Sequence, residues 1–386
     1  MRAWAEINLD AIKNNIRIIR ERTSTKAMVM AVVKADAYGH GVREVTKTLL
    51  ENGADRLAVA TADEAIQLRD EGFDVPILIL GYVLPDDIER LIKADITLTV
   101  FDLEQAKIIS EKASILRKGC KIHIKLDTGM SRIGYVCTDD EDGIIDSIGQ
   151  ISRLPGIEIE GIFSHFAKAD ETDPTYTHIQ FGRFEKIIKK LEQSGIHIPI
   201  KHICNSAGIL LYPEYHLDMV RSGIITYGLA PSDEVNISDT GLMPAMQFKA
   251  TVVNVKTLSA DTPVSYGGKF VAKAGSSIAT ISAGYADGYS RVLSNKAQVL
   301  IKGHKADVAG NVCMDQFMVD ISEIENINIG DEVILFGSDG NNIITVESVA
   351  SIIGTISYET VCVVGKRVPR VYIQDGKEVN VLNYLV

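Results

Sequence analysis

Three features of this 386-residue sequence predict an α/β protein, a closed (β/α)8 barrel of the TIM type followed by a second, mostly β domain. Short apolar runs alternate with amphipathic helical stretches eight times over roughly 200 residues, the number at which a parallel sheet closes on itself. Near Gly241 the texture changes to brief β-rich segments separated by Gly, Asp and Asn. No GxGxxG follows the first apolar run, which disfavours the runner-up, an open doubly wound sheet.

The elements follow in order. Asn8-Leu9-Asp10 precedes Ile12, Ile16 and Ile19, so a helix to Arg22 is expected, with Asp10 as its cap. The expected strands are Met28–Lys34, Arg56–Ala60, Pro76–Gly81, Ile96–Val100, Lys121–Leu126, Glu158–Ser164, Ile200–Cys204 and Met219–Ile224. They are nearly continuous apolar runs, as strands covered on both faces should be. Helices are expected between them, among others over Ala62–Glu71, Pro85–Ala94, Leu103–Arg117 and Thr177–Ser194. Beyond the change of texture, Phe248–Leu258, Ser276–Ile281, Gln298–Ile301, Asp331–Leu335 and Arg370–Ile373 read as strands. The barrel is assigned to residues 10–240, and the β domain to residues 241–386 together with residues 1–9.

Composition narrows the function classes. The chain is 46% hydrophobic and 24% charged, and its formal net charge of −11 comes without a basic block. Nucleic acid and anionic membrane surfaces are therefore not expected partners. The N-terminal residues lack a signal-peptide h-region, and no apolar run reaches transmembrane length. Five dispersed cysteines without metal-type spacing suggest reduced thiols, hence a cytoplasmic location and no metal site.

Function is read from what stands at the strands' C-terminal ends, where a barrel of this kind builds its site. The first strand runs into Lys34, with Tyr38 just beyond. A lysine there could snorkel over the rim, or it could be a desolvated amine able to form a Schiff base. Lys125 stands at the end of the fifth strand with Arg132 beyond it, His165 follows the sixth, Asn205 and Ser206 follow the seventh, and Arg221, Gly223 and Ile224 end the eighth. Taken singly, His165 reads equally as a core histidine, Arg132 as a surface charge and Asn205-Ser206 as a helix cap. Their convergence on one face is the signature of a site. The Gly223 and Ile224 amides, the Ser206 hydroxyl and Tyr38 suit a phosphate. A lysine beside a phosphate site points to pyridoxal 5′-phosphate.

The residues also resemble a known family. The segments AVVKADAYGHG at 31–41, KLDTGMSRIG at 125–134, FSHFA at 163–167, NSAG at 205–208 and RSGIITYG at 221–228 stand in the order found in alanine racemases, fold-type III pyridoxal-phosphate enzymes. SYGG at 265–268, GYADGY at 284–289, CMDQ at 313–316 and SYE at 357–359 complete the pattern. The resemblance implies a homodimer that interconverts L- and D-alanine and supplies D-alanine for peptidoglycan. It implies that Lys34 bears the cofactor and is one catalytic base, and that Tyr266 of the partner subunit is the other. Arg221 would face the pyridine nitrogen. Arg132 and the partner's Met314 would bind the substrate carboxylate. His165 would hold the catalytic tyrosine. Tyr38, Asn205, Ser206, Gly223, Ile224 and Tyr358 would complete the cofactor site, and Lys125 matches a lysine often carbamylated. Asp170, Tyr285 and Arg291 match positions of the substrate corridor, whereas Tyr289 reads as structural.

Two positions depart from the pattern: Ser131 stands where glycine is usual, and Asn311 where an arginine is common. Rival readings are a racemase of another small amino acid such as serine, or a non-catalytic cofactor-binding barrel.

Overall fold

In the computed structural model, which describes residues 1–386, strand β1 (Ala3–Asn8) runs directly into the helix Leu9–Arg22. Asn8, not Asp10, caps that helix. The Asn8 Oδ1 accepts from the Ala11 amide at 2.9 Å, whereas Asp10 accepts from the amide of Asp375. The chain then forms two units. One comprises Lys13–Ala37 and Val45–Leu242, the other Met1–Ile12, Tyr38–Glu44 and Met243–Val386.

The first unit is built on β2 (Met28–Val32), β3 (Arg56–Val59), β4 (Ile77–Ile79), β5 (Leu98–Val100), β6 (Cys120–Asp127), the two-residue β7 (Tyr135–Val136), β8 (Ile157–Phe163), β9 (Ile200–His202) and β10 (Met219–Ser222). Every pairing among them is parallel. One run is β10-β2-β3-β4 and another is β5-β6-β8-β9, with β7 appended to β6. A bridge between Leu78 and Thr97 links β4 to the start of β5. Backbone bonds Asp218 N–H to Lys201 O and Arg221 N–H to Cys204 O, each 3.1 Å, link β9 to β10. Eight parallel strands thus follow one another in chain order and return to the first.

Several of the helices between them start at a side-chain cap. Thr61 and Glu64 form a capping box for Ala62–Asp70, Asp102 caps Leu103–Leu116, and Asn205 caps Ser206–Leu211. The first and last strands stop two residues short of expectation, at Val32 and Ser222, because the chain turns there.

The turn after β2 is left-handed. Ala35, Asp36, Ala37 and Tyr38 have φ between 51° and 54°, and Gly39 continues at 80°. L-residues in this region cost roughly 1–2 kcal/mol each, so the conformation must be imposed by its surroundings. The Ala35 amide donates to Glu64 Oε1 at 2.7 Å, and the Ala37 amide to Val33 O at 2.9 Å.

The second unit is a ten-stranded sheet in which β1 is the third strand from one end. Its other strands are β11 (Met246–Thr257), β14 (Ser277–Ile281), β15 (Gln298–Ile301), β16 (His304–Val308), β17 (Phe317–Asp320), β18 (Glu332–Asp339), β19 (Asn342–Ile344), β20 (Arg370–Gln374) and β21 (Lys377–Leu382). β1 lies antiparallel to β11 and parallel to β20. A separate hairpin of β12 (Thr262–Val264) and β13 (Phe270–Ala272) carries residues 265–269 at its tip. Inward and outward residues alternate along β1, as expected of a half-buried strand.

Candidate active site

Each unit holds part of the predicted set. In the first, Lys34 is half-buried and begins the left-handed turn. Glu64 fastens the turn from the neighbouring helix, since its carboxylate takes the amides of Ala35, Ala60 and Thr61.

Arg221 lies in β10 and is 3% exposed. Its guanidinium donates to His202 Nδ1 at 2.7 Å, to Ser164 O at 2.7 Å, to Ile203 O at 3.0 Å and to His165 Nδ1 at 3.1 Å. No carboxylate is among these partners. Burial pulls its pKa down to about 10, which still leaves it a cation at neutral pH. His165 is half-buried, and burial together with the Arg221 cation holds its imidazole well below the ordinary range.

Asn205 and Ser206 sit where β9 meets its helix. Asn205 Oδ1 caps that helix at the Gly208 amide, 3.0 Å, and so fixes Ser206 at the first helical position. Ser206 is buried, and its Oγ accepts from the Gly223 amide at 3.1 Å. Ile224 opens the short 3-10 turn Ile224–Tyr227, whose first amides have no partner within the turn. Ser206, Gly223 and Ile224 are thus brought together, with the donor chemistry of an anion cradle.

Lys125, in β6, is 4% exposed. Its ammonium donates to Leu126 O at 3.0 Å and lies 4.9 Å from the Phe163 ring centroid. Burial, then the cations Arg221 and Arg132, lower its pKa to about 7. The loop after β6 is organised by Asp127, whose Oδ1 accepts the amides of Gly129, Met130 and Ser131 within 3.0 Å. Arg132 is exposed at the end of that loop, beside a cleft of about 530 Å³ that Arg183 and Tyr176 also line. Ser131 has φ of 56°, the left-handed region that explains why glycine is usual there.

In the second unit Tyr266 lies at the hairpin tip, 70% exposed, and Met314 is 51% exposed. The tip is clamped. Ser265, at φ 64°, donates its hydroxyl to Asn311 O at 2.6 Å, and the Asn311 side-chain amide donates to Tyr266 O at 2.6 Å. Asn311, where the resemblance led to an arginine being expected, thus carries no charge and makes a backbone contact to Tyr266. Tyr38 and Tyr358 face each other with ring centroids 6.2 Å apart, and burial foremost raises the Tyr38 phenol's pKa. Buried Arg370 donates to Gly39 O at 2.9 Å, next to Tyr38. Tyr285 is exposed, Arg291 donates to Val312 O, and Tyr289 is buried against Phe317 with centroids 4.7 Å apart. Asp170 accepts from the Ser232 hydroxyl through its carbonyl.

Glu64, His123 and Glu160 escape a reading of strand ends. Glu64 stands in the sequence as one more charge of a helix, though its place three residues after Thr61 is a capping-box signal. His123 and Lys125 are two residues apart on β6, which puts them on the same face of the strand.

Two family models match, alanine racemase N-terminal domain over residues 7–231 and alanine racemase C-terminal domain over residues 245–372. An alanine racemase of Methanococcus maripaludis is 52% identical over 96% of this chain and 98% of its own. The solved alanine racemase of Clostridium difficile 630 superposes with a TM-score of 0.95 at 42% identity, covering 100% of this chain and 99% of that one. That of Bacillus anthracis, determined with bound L-Ala-P, gives 0.92 at 37% identity, covering 100% and 98%. With both domains matched in order and relatives alike over nearly their whole length, the chain belongs to the alanine racemase family.

Proposed function

We propose that this chain interconverts L- and D-alanine with pyridoxal 5′-phosphate by a two-base mechanism, in a homodimer whose subunits share their active sites. The observation that carries it is the group at the strands' C-terminal ends. A buried guanidinium without a carboxylate partner stands there with a hydroxyl–amide pair, Ser206 and Gly223, suited to a phosphate. The residues fit the cofactor: Lys34 would bond to it, Arg221 would face the ring nitrogen, Tyr38, Ser206, Gly223, Ile224 and Tyr358 would surround the phosphate, and Asn205 would complete the cofactor site. When bound, pyridoxal phosphate withdraws electrons from Cα of an amino acid and acidifies its α-proton.

The rest is the work of this chain's own groups. Racemisation needs one group on each face of Cα, one removing and the other delivering a proton. Lys34 supplies one face. Tyr266 of the partner subunit supplies the other, with His165 to hold its phenol. Its exposure on a clamped tip is what a residue offered to another chain requires. Arg132 and the partner's Met314 orient the substrate carboxylate. Arg221 can only donate, so it keeps the facing ring nitrogen free of a proton. A Lys125 pKa of about 7 leaves much of that amine neutral near pH 7, the form that carbamylation needs.

The reading takes the eight-strand ring as a (β/α)8 barrel over 10–240, and residues 241–386 with 1–9 as the β domain reaching the partner. All five cysteines are free, which suits a reducing, cytoplasmic setting, where D-alanine would serve peptidoglycan synthesis. The L-Ala-P bound in the Bacillus anthracis relative supports a small amino acid as ligand. No helix is long and apolar enough to cross a membrane.

Proton NMR of L-alanine in D2O with a chiral readout tests the proposal. Loss of the α-proton with appearance of D-alanine is expected. Exchange with serine but not alanine would move the specificity, and a yellow protein that exchanges nothing would leave a cofactor carrier.

A further inference from the structure

Behind Arg221 a line of buried polar side chains crosses the strand ring. Arg221 Nη1 lies 2.7 Å from His202 Nδ1, His202 Nε2 lies 2.9 Å from His123 Nδ1, and His123 Nε2 lies 3.1 Å from Glu160 Oε2. Both imidazoles are fully buried and Glu160 is 6% exposed. Glu160 also receives Arg56 Nη1 at 2.7 Å and Lys121 Nζ at 3.2 Å. Arg56 opens β3 and Lys121 is second in β6, so the line runs from the strands' N-terminal ends to the face that carries Arg221.

Only one set of proton positions satisfies it. Arginine donates and never accepts, so His202 Nδ1 must be the acceptor and its proton must sit on Nε2. That proton points at His123 Nδ1, which must accept in turn, leaving the His123 proton on Nε2, directed at a carboxylate that can only accept. Charging either ring would set two donors face to face. The surroundings agree. Burial lowers the pKa of both histidines, and although burial works against the Glu160 carboxylate, its bonds to His123 and Arg56 hold its pKa well below the ordinary range.

The packing is cut to this line. A Cβ on Gly161, the neighbour of Glu160, would come within 2.5 Å of the His123 ring, so glycine makes the room that ring occupies. His202 is stacked on Phe163 at 4.8 Å and 3°.

We propose that Glu160 and His123 are positioning residues for Arg221: the carboxylate orders a one-way chain of hydrogen bonds through both imidazoles and so fixes where the guanidinium points. This rests on the reading that Arg221 faces the cofactor's ring nitrogen. Polarised hydrogen bonds in sequence reinforce one another in a low dielectric. Through them a buried cation that meets no carboxylate feels one three groups away.

Nitrogen-15 spectra of the histidine-labelled holoenzyme test the line itself, with resonances assigned by single variants. Both His123 and His202 should appear as neutral Nε2–H tautomers, untitrated between pH 6 and pH 9. A proton on Nδ1 of either ring overturns the proposal and leaves the reading of Arg221 intact. Glu160→Gln and Gly161→Ala test its consequence, the second breaking the line without altering a charge. Each should shift the absorption band of the bound cofactor in the absence of substrate, and lower kcat by ~10-fold with KM for alanine little changed, the ordinary effect of removing a group that orients a functional one. Arg221→Lys serves as the reference. If it moves the band and the other two do not, Glu160 and His123 have no positioning role. If Arg221→Lys itself leaves the band where it was, Arg221 does not face the cofactor, and the positioning role falls with that reading.

Discussion

The side-chain amide of Asn311 is hydrogen-bonded to the carbonyl of Tyr266, 2.6 Å away. Its own carbonyl takes the Ser265 hydroxyl, so one residue holds both sides of an exposed turn whose first φ is already positive. Asn311→Ala should therefore loosen the tip rather than unfold the sheet. Amide hydrogen exchange at 265–268 should quicken, and kcat should fall several-fold while cofactor binding is unchanged. Unaltered exchange at the tip would mean the turn is held by its glycines alone.

Tyr266→Phe removes only the phenol oxygen of a side chain that is mostly in solvent within its own chain. Folding and cofactor absorption should be preserved. Loss of the α-proton from L-alanine in D2O should slow by about 10² or more, the usual scale of one acid–base group. Full rates from both enantiomers would rule out the two-base assignment.

Lys125 provides a pH test. Burial sets its folded pKa at about 7, against ~10.4 in an unfolded chain. Between those values the unfolded chain binds the extra proton, so stability rises with pH across that window and is lost as pH falls through 7. Lys125→Met should flatten this dependence and raise the urea midpoint more at pH 6 than at pH 10. Equal gains at both pH values would mean the amine stays charged, or stays carbamylated, throughout.

Ser131 stands at φ 56° in the loop held by Asp127. Ser131→Gly relieves that conformation and should raise stability by about 0.5–1 kcal/mol, less what glycine's freer unfolded chain takes back. The shift in urea midpoint measures it, and a loss of stability would show that the serine side chain contributes more than the strain costs.

The resemblance and the strand ends led to Lys34, Arg221 and Ser206 because each follows an apolar run that has no other reason to stop. The left-handed turn after Val33 was not legible in the same way. Ala35, Asp36 and Ala37 have no local preference for it, and only contacts such as that of Glu64 impose it. Asp10 was the expected cap and Asn8 is the actual one, since the helix starts two residues earlier and Asp10 bonds to the turn between β20 and β21, more than 300 residues away.

The sequence by itself determined the order of strands and helices, the change to a β-rich second half, and the residue types at the strand ends, because periodicity and turn chemistry are local. Tertiary structure alone decided that His123, Glu160, His202 and Arg221 form one line, and that Asn311 serves Tyr266. Hydrogen-bond partners are chosen by which groups a fold leaves within hydrogen-bonding distance of one another, and here they are up to 79 residues apart in the chain.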